Sequence, residues 1–437
     1  MFLYNIRIGI KSLRRNPILT ALLIAAIALG ICVSTSFIAL RHIFEKDPLP
    51  GKSQDMFFVR LDNWDPARAY NAEDPKSLPQ MITYRDMREV MKSDIPVHQV
   101  GTYRARMFAH PDPKMGRPFA ANIRMTFSDF FPMFDIPFQY GSGWDKAADA
   151  KPEQVIVIDQ EMNKKLFGGG NTVGRTVRLD ERDFKVVGVI GDWKPPLRFY
   201  DLTQGPAQVE GLFMPFNLTV PLQIYTAGNS DGWKAQPADT FEGYMASEQT
   251  WIEYWAELPT VEKQQAFRDY VTNYVRDQKK RGRFERPLHV EVTSMPDLFL
   301  EFQIVPPAIK SMSIVSLLFL IVCSLNLVGL LLGKFLARVP EVSVRRALGA
   351  SRFQVFWQHV VECELVGIVG GAIGLALSLL VLQLIGKIIP QNTIKVGLDG
   401  EMVLVSIFLS LVAGLLAGIY PSWRVCSIAP AMQLKVQ

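Results

Sequence analysis

The chain has 437 residues, 49% of them apolar and 20% charged, with a formal net charge of +5. Its mean hydropathy is positive, so the apolar residues must be gathered into particular stretches rather than spread through a soluble fold. The basic excess flanks those stretches and leaves the region from Arg41 to Lys310 slightly acidic, which excludes a nucleic-acid partner; all four cysteines also lie outside that region, which excludes a disulfide framework there.

In chain order, residues 1–17 predict an amphipathic helix. Leu3, Ile6, Ile10 and Leu13 recur at helical spacing, while Arg7, Lys11 and Arg14 fall on another face. Such a helix lies in the membrane interface before the chain turns at Asn16-Pro17. Four apolar runs follow at residues 18–40, 311–333, 362–386 and 402–423. Each is long enough to cross about 30 Å of hydrocarbon at about 1.5 Å per helical residue, and so to be embedded in membrane lipid. The first run exceeds the apolar core of a signal peptide, about 7 to 15 residues, and reads as a retained span.

Basic loops stay on the cytoplasmic side. Arg7, Lys11, Arg14 and Arg15 precede the first span, and residues 334–361 carry Lys334, Arg338, Arg345, Arg346 and Arg352 against Glu341. Residues 387–401 are balanced, and the tail 424–437 carries Arg424 and Lys435. The N-terminal segment, residues 334–361 and the tail are therefore expected inside, with residues 41–310 and 387–401 outside.

Residues 41–310 read as an α+β domain of two lobes. Strands are predicted at Met56–Leu61, His98–Ala109, Gln154–Asp159 and Leu288–Val292, with a hairpin formed by Arg175–Leu179 and Phe184–Ile190. Helices are predicted at Thr83–Lys92, Ser128–Phe134, Gln160–Phe167 and Val261–Lys280, the third stopped by Gly168-Gly169-Gly170. Residues 221–250 are poorly periodic and read as a loop or insertion, and the basic run Gln278–Arg286 as a solvated loop.

The search for chemistry is negative. Gly169 to Thr176 imitates a phosphate loop with Arg175 in the lysine position, but a helix precedes it and a hairpin follows. Gly228 to Gly232 has the G-x-S-x-G spacing without the strand and helix that a nucleophile turn needs. The five histidines, His42, His98, His110, His289 and His359, never fall at metal-ligand spacing. No catalytic, cofactor-binding or metal-binding residue is assigned.

Two features of the membrane part stand out. Gly367, Gly370, Gly371 and Gly374 in the third span and Gly414 and Gly418 in the fourth are spaced to let helix backbones approach closely. Glu362 and Glu364 stand near the start of the third span and read as interfacial anchors, with proton coupling as the alternative. Between the second and third spans, Glu341 to Ser351 (EVSVRRALGAS) predicts a short helix parallel to the membrane, stopped by Gly349.

That segment resembles the coupling helix of the MacB/FtsX-like ABC transporter permeases, the type VII or mechanotransmission group, and three further regions agree. The start NIRIGIKSLRRNPILTALLIAAIALG resembles the family's amphipathic helix and first span. VIVIDQEMNKKLFGGGNTVGRTVRLDERDFKVVGVIGDW and the later FMPF resemble its periplasmic core, and GLLAGIYPSWRVCSIAPAMQLK its closing pattern.

The resemblance implies a bacterial inner-membrane protein of four transmembrane α-helices, with a large α+β extracytoplasmic domain between spans 1 and 2. It implies a permease that binds no cofactor itself, ATP and Mg being held by a dimer of separate ABC ATPase subunits. Glu341, Arg345, Arg346, Gly349, Ala350 and Ser351 become the ATPase-facing segment, with Glu362 matching an acidic residue that opens the third span. A second permease, identical or homologous, is expected, and in efflux members a periplasmic adaptor and an outer-membrane channel. The function expected is efflux or extraction of a substrate from the periplasmic side. The alternative is a regulatory permease that controls a periplasmic enzyme without transport.

Overall fold

The computed structural model describes residues 2–151, 153–193, 198–203, 210–234, 239–388 and 397–427, with side chains from residue 6 onward except at 387 and 388. The side chain of Leu3, Pro237, Lys395 with most of the loop between the third and fourth spans, and the tail from residue 428 lie outside the described residues. The chain forms two compact units, Met1–Lys46 with Val305–Gln437, and Asp47–Ile304.

The first unit begins with α1 (Phe2–Arg15) and α2 (Pro17–Glu45). Pro17 opens α2 where its missing N–H costs nothing.

The second unit contains β1 (Met56–Leu61), β2 (Ile82–Thr83), α3 (Tyr84–Val90), β3 (Gln99–His110), β4 (Phe119–Thr126), α4 (Phe130–Met133), β5 (Phe138–Gly141) and α5 (Lys146–Ala150). There follow β6 (Val155–Ile158), α6 (Gln160–Phe167), β7 (Thr176–Leu179), β8 (Arg182–Ile190), β9 (Leu212–Pro215), α7 (Phe241–Ala246), β10 (Thr250–Glu257), α8 (Val261–Lys280), β11 (Val290–Ser294) and α9 (Met295–Glu301). Local chemistry sets the helix ends. Thr83, Asp159, Thr240 and Thr260 each accept a backbone N–H at the start of α3, α6, α7 and α8, and Gly168 ends α6 in the left-handed region at φ 85°.

The strands form one mixed sheet in the order β11-β1-β10-β3-β4-β9-β6-β8-β5, with β2 on β10 and β7 on β3 and β8. Its two halves share β3: Gln99 to Thr102 pair with β10, and Tyr103 to Ala109 pair with β4. The core is aromatic, with Trp251, Trp255, Tyr103, Tyr254, Phe58 and Phe130 all fully buried.

Two expectations for this domain need correction. Residues 221–250 are not a plain loop: they include α7, and Asp231 forms a backbone bridge with Thr250. Tyr70 donates to Asp231 at 2.8 Å and the Trp233 indole donates to the Asn63 carbonyl at 2.7 Å, so the segment is tied to the chain near residue 65. Nor is the basic run after α8 wholly solvated. Arg283 is paired with Asp86 at 2.9 Å and Glu248 at 2.8 Å, and Arg286 with Asp62 at 2.9 Å, because distant carboxylates neutralise them.

Back in the first unit, α10 (Pro307–Leu336), α11 (Val339–Ala347), α12 (Arg352–Ile388) and α13 (Gly400–Ser427) complete the chain. With α2, the three long helices are apolar and long enough to cross a membrane. α12 begins ten residues before the apolar run of its span, because a helix can continue through polar and aromatic residues that a hydropathy window rejects. Glycine sets the spacing: a methyl group at Gly374 would lie 2.7 Å from the Ala28 carbonyl of α2, and one at Gly371 would lie 2.4 Å from Ser410 Cβ of α13. Gly367 and Gly370 are crowded in the same way by α13 and α2, and Gly418 by Cys363 of α12.

Candidate functional site

At the end of the bundle where α2 begins and α10 finishes, the sequence places basic residues on α1, α10 and α11, with Glu341 on α11 and Glu362 and Glu364 inside α12. Each element needs a partner there. The Glu362 side chain is buried, and an unpaired carboxylate at that depth would lose most of its hydration. Lys334 of α10, also buried, lies 2.6 Å from it, and Arg338 approaches its other oxygen at 3.5 Å. Ser12 of α1 donates to the same carboxylate and in turn accepts from Arg338, whose second nitrogen reaches the Ser12 carbonyl at 3.3 Å. One buried network therefore joins α1, α10 and α12.

α11 hangs on this network. Arg15 lies 3.5 Å from Glu341, Glu341 pairs with Arg345 at 2.7 Å one turn on, and Arg345 reaches the Gln358 oxygen of α12 at 3.4 Å. Arg346 donates to the Cys426 carbonyl near the end of α13 at 3.2 Å. Val339 and Val342 are buried, and His359 packs edge-on to Phe335 at 4.5 Å while its Nδ1–H donates to the Val355 carbonyl. The helix stops at Gly349, φ 103°, with the Ala350 amide returning to the Arg345 carbonyl. Ser351 and Gln354 then cap α12 reciprocally, each side chain accepting the other's backbone N–H at 3.2 and 3.1 Å.

Thus Glu341, Arg345, Arg346, Gly349, Ala350 and Ser351 are brought together, but the two arginines are engaged within the chain and Ala350 and Ser351 serve the turn into α12. Beside the polar Glu341, Ser351, Arg352 and Gln354, α11 and its exit leave three large apolar side chains exposed, Val344, Leu348 and Phe353, with Leu348 84% exposed. Sequence reasoning missed these three. Their signal was single apolar residues spaced among the arginines of a segment too polar to be a span. The helix predicted at the N-terminus forms as α1, with Gly9 and Ser12 buried and Ile10 exposed, as an interfacial helix turns apolar residues to lipid. Glu364 differs from Glu362. Its carboxyl oxygens are buried without a hydrogen-bond partner among the described residues, against Gly414.

The domain of the second unit holds its own charge cluster. Arg124 of β4, fully buried, contacts Asp201 and Glu210, with Glu253 of β10 at 3.4 Å and Arg198 at 3.5 Å from Glu210. Burial works against the Arg124 charge, but the three carboxylates outweigh it and hold the guanidinium well above its ordinary value. Burial also lifts Glu253 well above the carboxylate range, reinforced by the adjacent Asp201, whereas Arg124 overcomes burial at Asp201 and holds it low. The imitation phosphate loop is occupied structurally: it leaves the C-terminus of α6 and enters β7, and Arg175 pairs with Asp112 at 3.1 Å over the Phe167 ring.

Four helices long and apolar enough to cross a membrane, a large α+β domain inserted after the first, and a short buttressed helix between the second and third define a multi-pass membrane protein. The family model of the MacB-like periplasmic core domain matches residues 20–274, and that of the FtsX-like permease C-terminal region matches residues 313–430. The chain belongs to the MacB/FtsX-like family of ABC transporter permeases. It is 24% identical over 302 residues to a macrolide export ATP-binding/permease protein, MacB, of Burkholderia lata, covering 69% of this chain and 39% of that one. It is 22% identical over 312 residues to the pyoverdine export ATP-binding/permease protein PvdT of Pseudomonas aeruginosa, covering 71% of this chain and 41% of that one. The chain thus spans about two fifths of the length of the curated relatives it matches. The solved periplasmic region of MacB from Actinobacillus actinomycetemcomitans aligns with 58% of this chain and 94% of its own at 13% identity, with a TM-score of 0.37.

Proposed function

We propose that this chain is the permease subunit of an ABC transporter that converts ATP hydrolysis in the cytoplasm into movement of a periplasmic domain, driving efflux or extraction of a substrate from the periplasmic side. The observation that carries the reading is α11: it is bound to α1, α10, α12 and α13 through Arg15, Arg345, Arg346 and the Glu362 network, yet leaves Val344 and Leu348 exposed. A helix so buttressed and so uncovered is a lever with one free face. A soluble ATPase that seats that face in a cleft moves four helices at once.

In this reading the protein sits in the inner membrane with residues 47–304 in the periplasm. A separate pair of ABC ATPase subunits binds ATP and Mg, and a second permease completes the pair. The export names of the relatives support transport over regulation, and an adaptor and outer-membrane channel would complete an efflux path. Isolation from native membranes with every co-purifying chain identified tests this. An ABC ATPase at matching stoichiometry, with an adaptor, is the expected result. Recovery without any ATPase overturns it, and recovery with an ATPase and a cell-wall hydrolase replaces transport by regulation.

A further inference from the structure

Between α1, α11 and α12 lies a cavity of about 400 Å³ whose polar wall includes Lys11, Ser12, Arg15, Arg338, Arg345 and Gln358. Apart from the His359 Nε2, its acceptors already have donors. Glu362 is held by Lys334, Arg338 and Ser12, Glu341 by Arg345 and Arg15, and the Gln358 oxygen by Arg345. What remains toward the cavity is donor capacity: the Gln358 amide N–H groups, the spare N–H groups of Arg15 and Arg345, and the ammonium of Lys11, which has no carboxylate partner among the described residues. Cations outnumber carboxylates in the wall, and a ligand that satisfies it must bring several acceptor oxygens and negative charge.

The position narrows the choice. The cavity lies where α1, with Arg7, Lys11, Arg14 and Arg15 exposed, meets the end of a membrane-crossing helix at Lys334, which is the depth of lipid headgroups. We propose that this cavity binds the phosphate group of an anionic membrane lipid, with Lys11, Arg15 and Gln358 as its donors. Lipid bound there braces α1 against α11, beside the exposed Leu348. The site does not depend on the ATPase contact proposed above. Residues that only fix topology would interact with anionic surfaces diffusely and would not form a walled, donor-lined site. Inorganic phosphate offers the same chemistry from the solvent, so the test includes it.

The test is native mass spectrometry of the full chain released from detergent micelles, titrated separately with phosphatidylglycerol, phosphatidylcholine and inorganic phosphate. Phosphatidylglycerol should be retained in preference to phosphatidylcholine, whose choline cation opposes the wall, and inorganic phosphate should not displace it. The double variant Lys11→Gln/Arg15→Gln should weaken phosphatidylglycerol retention about tenfold or more. Gln358→Glu, which points an acceptor at the ligand, should weaken it too. Both variants should keep the wild-type melting temperature, which separates lost binding from lost fold. Equal retention of the two lipids, or wild-type retention by both variants, overturns the proposal. Displacement of phosphatidylglycerol by inorganic phosphate, with the same sensitivity to the variants, overturns the lipid as the occupant.

Discussion

Arg124 and Glu362 are both buried charges met by partners of opposite sign, yet they sit in regions built for different ends. Around Arg124 the partners are Glu253 of β10, Asp201 and Glu210, all buried, within a domain whose core is aromatic. Around Glu362 the partners come from two other helices and from Arg338 in the turn before α11, and the network continues through the exposed Arg15 and Glu341 to a cavity and a helix with exposed apolar residues. A buried ion cluster that ends inside a core fixes one arrangement. One that runs from a core to a surface element can pass a displacement along, because moving any member disturbs all the others.

The largest effect that tests the contrast is expected from Arg124→Met. It strands the buried carboxylates of Asp201 and Glu210 and should cost about 3–5 kcal/mol, seen as a lower urea midpoint of tryptophan fluorescence in the full chain. A loss below about 1 kcal/mol would mean that the cluster is not holding the sheet together. Glu362→Gln should cost less, about 1–3 kcal/mol, since the neutral amide still offers an acceptor oxygen to Lys334 and Ser12. Adding Lys334→Met should recover much of that loss, and a strictly additive double variant would show that the two side chains do not act as a pair.

A smaller effect is expected from acid. Burial pushes the Glu248 carboxyl up, but the Arg283 guanidinium, helped by Arg85, more than offsets this and holds it below its ordinary value. A carboxyl depressed in the folded state contributes stability that is present above its unfolded value, about 4.3, and is lost as the pH falls through the lower folded value. The full chain should therefore lose stability below about pH 4. Glu248→Gln should flatten that acid limb without changing its shape near neutrality, and an unaltered limb would assign the acid sensitivity elsewhere.

How much of this was legible in the sequence depended on whether the signal was local. The four spans were readable as uninterrupted apolar runs, α6 and α8 by cap and periodicity, and β1 by its β-rich composition between turns. β10 was not, because every residue from Thr250 to Glu257 is buried, so the alternation that marks a half-exposed strand is absent and Glu253 interrupts its hydrophobic run. Arg283 and Arg286 looked like solvent-facing charges, and nothing local marked Arg124 as buried, since the carboxylates that neutralise them lie at least 35 residues away in the chain. At the bundle end, Glu362 was visible as an ionisable group near a span, and the helix stop at Gly349 followed from residue type. The role of Ser12 was hidden, because one serine in an amphipathic helix carries no mark of a partner 350 residues on.

The central claim is that the uncovered face of α11 receives the ATPase and that the Glu362 network passes its movement into the bundle. The direct test is to reconstitute the permease with its ABC ATPase and to measure attachment and ATP turnover for Leu348→Asp and Glu362→Gln side by side. Leu348→Asp changes an exposed residue and should alter the permease's own stability by no more than about 0.5 kcal/mol, yet it should abolish co-purification of the ATPase. Glu362→Gln should keep the ATPase attached while the permease no longer changes its turnover. Normal attachment and normal coupled turnover in both variants would contradict the account.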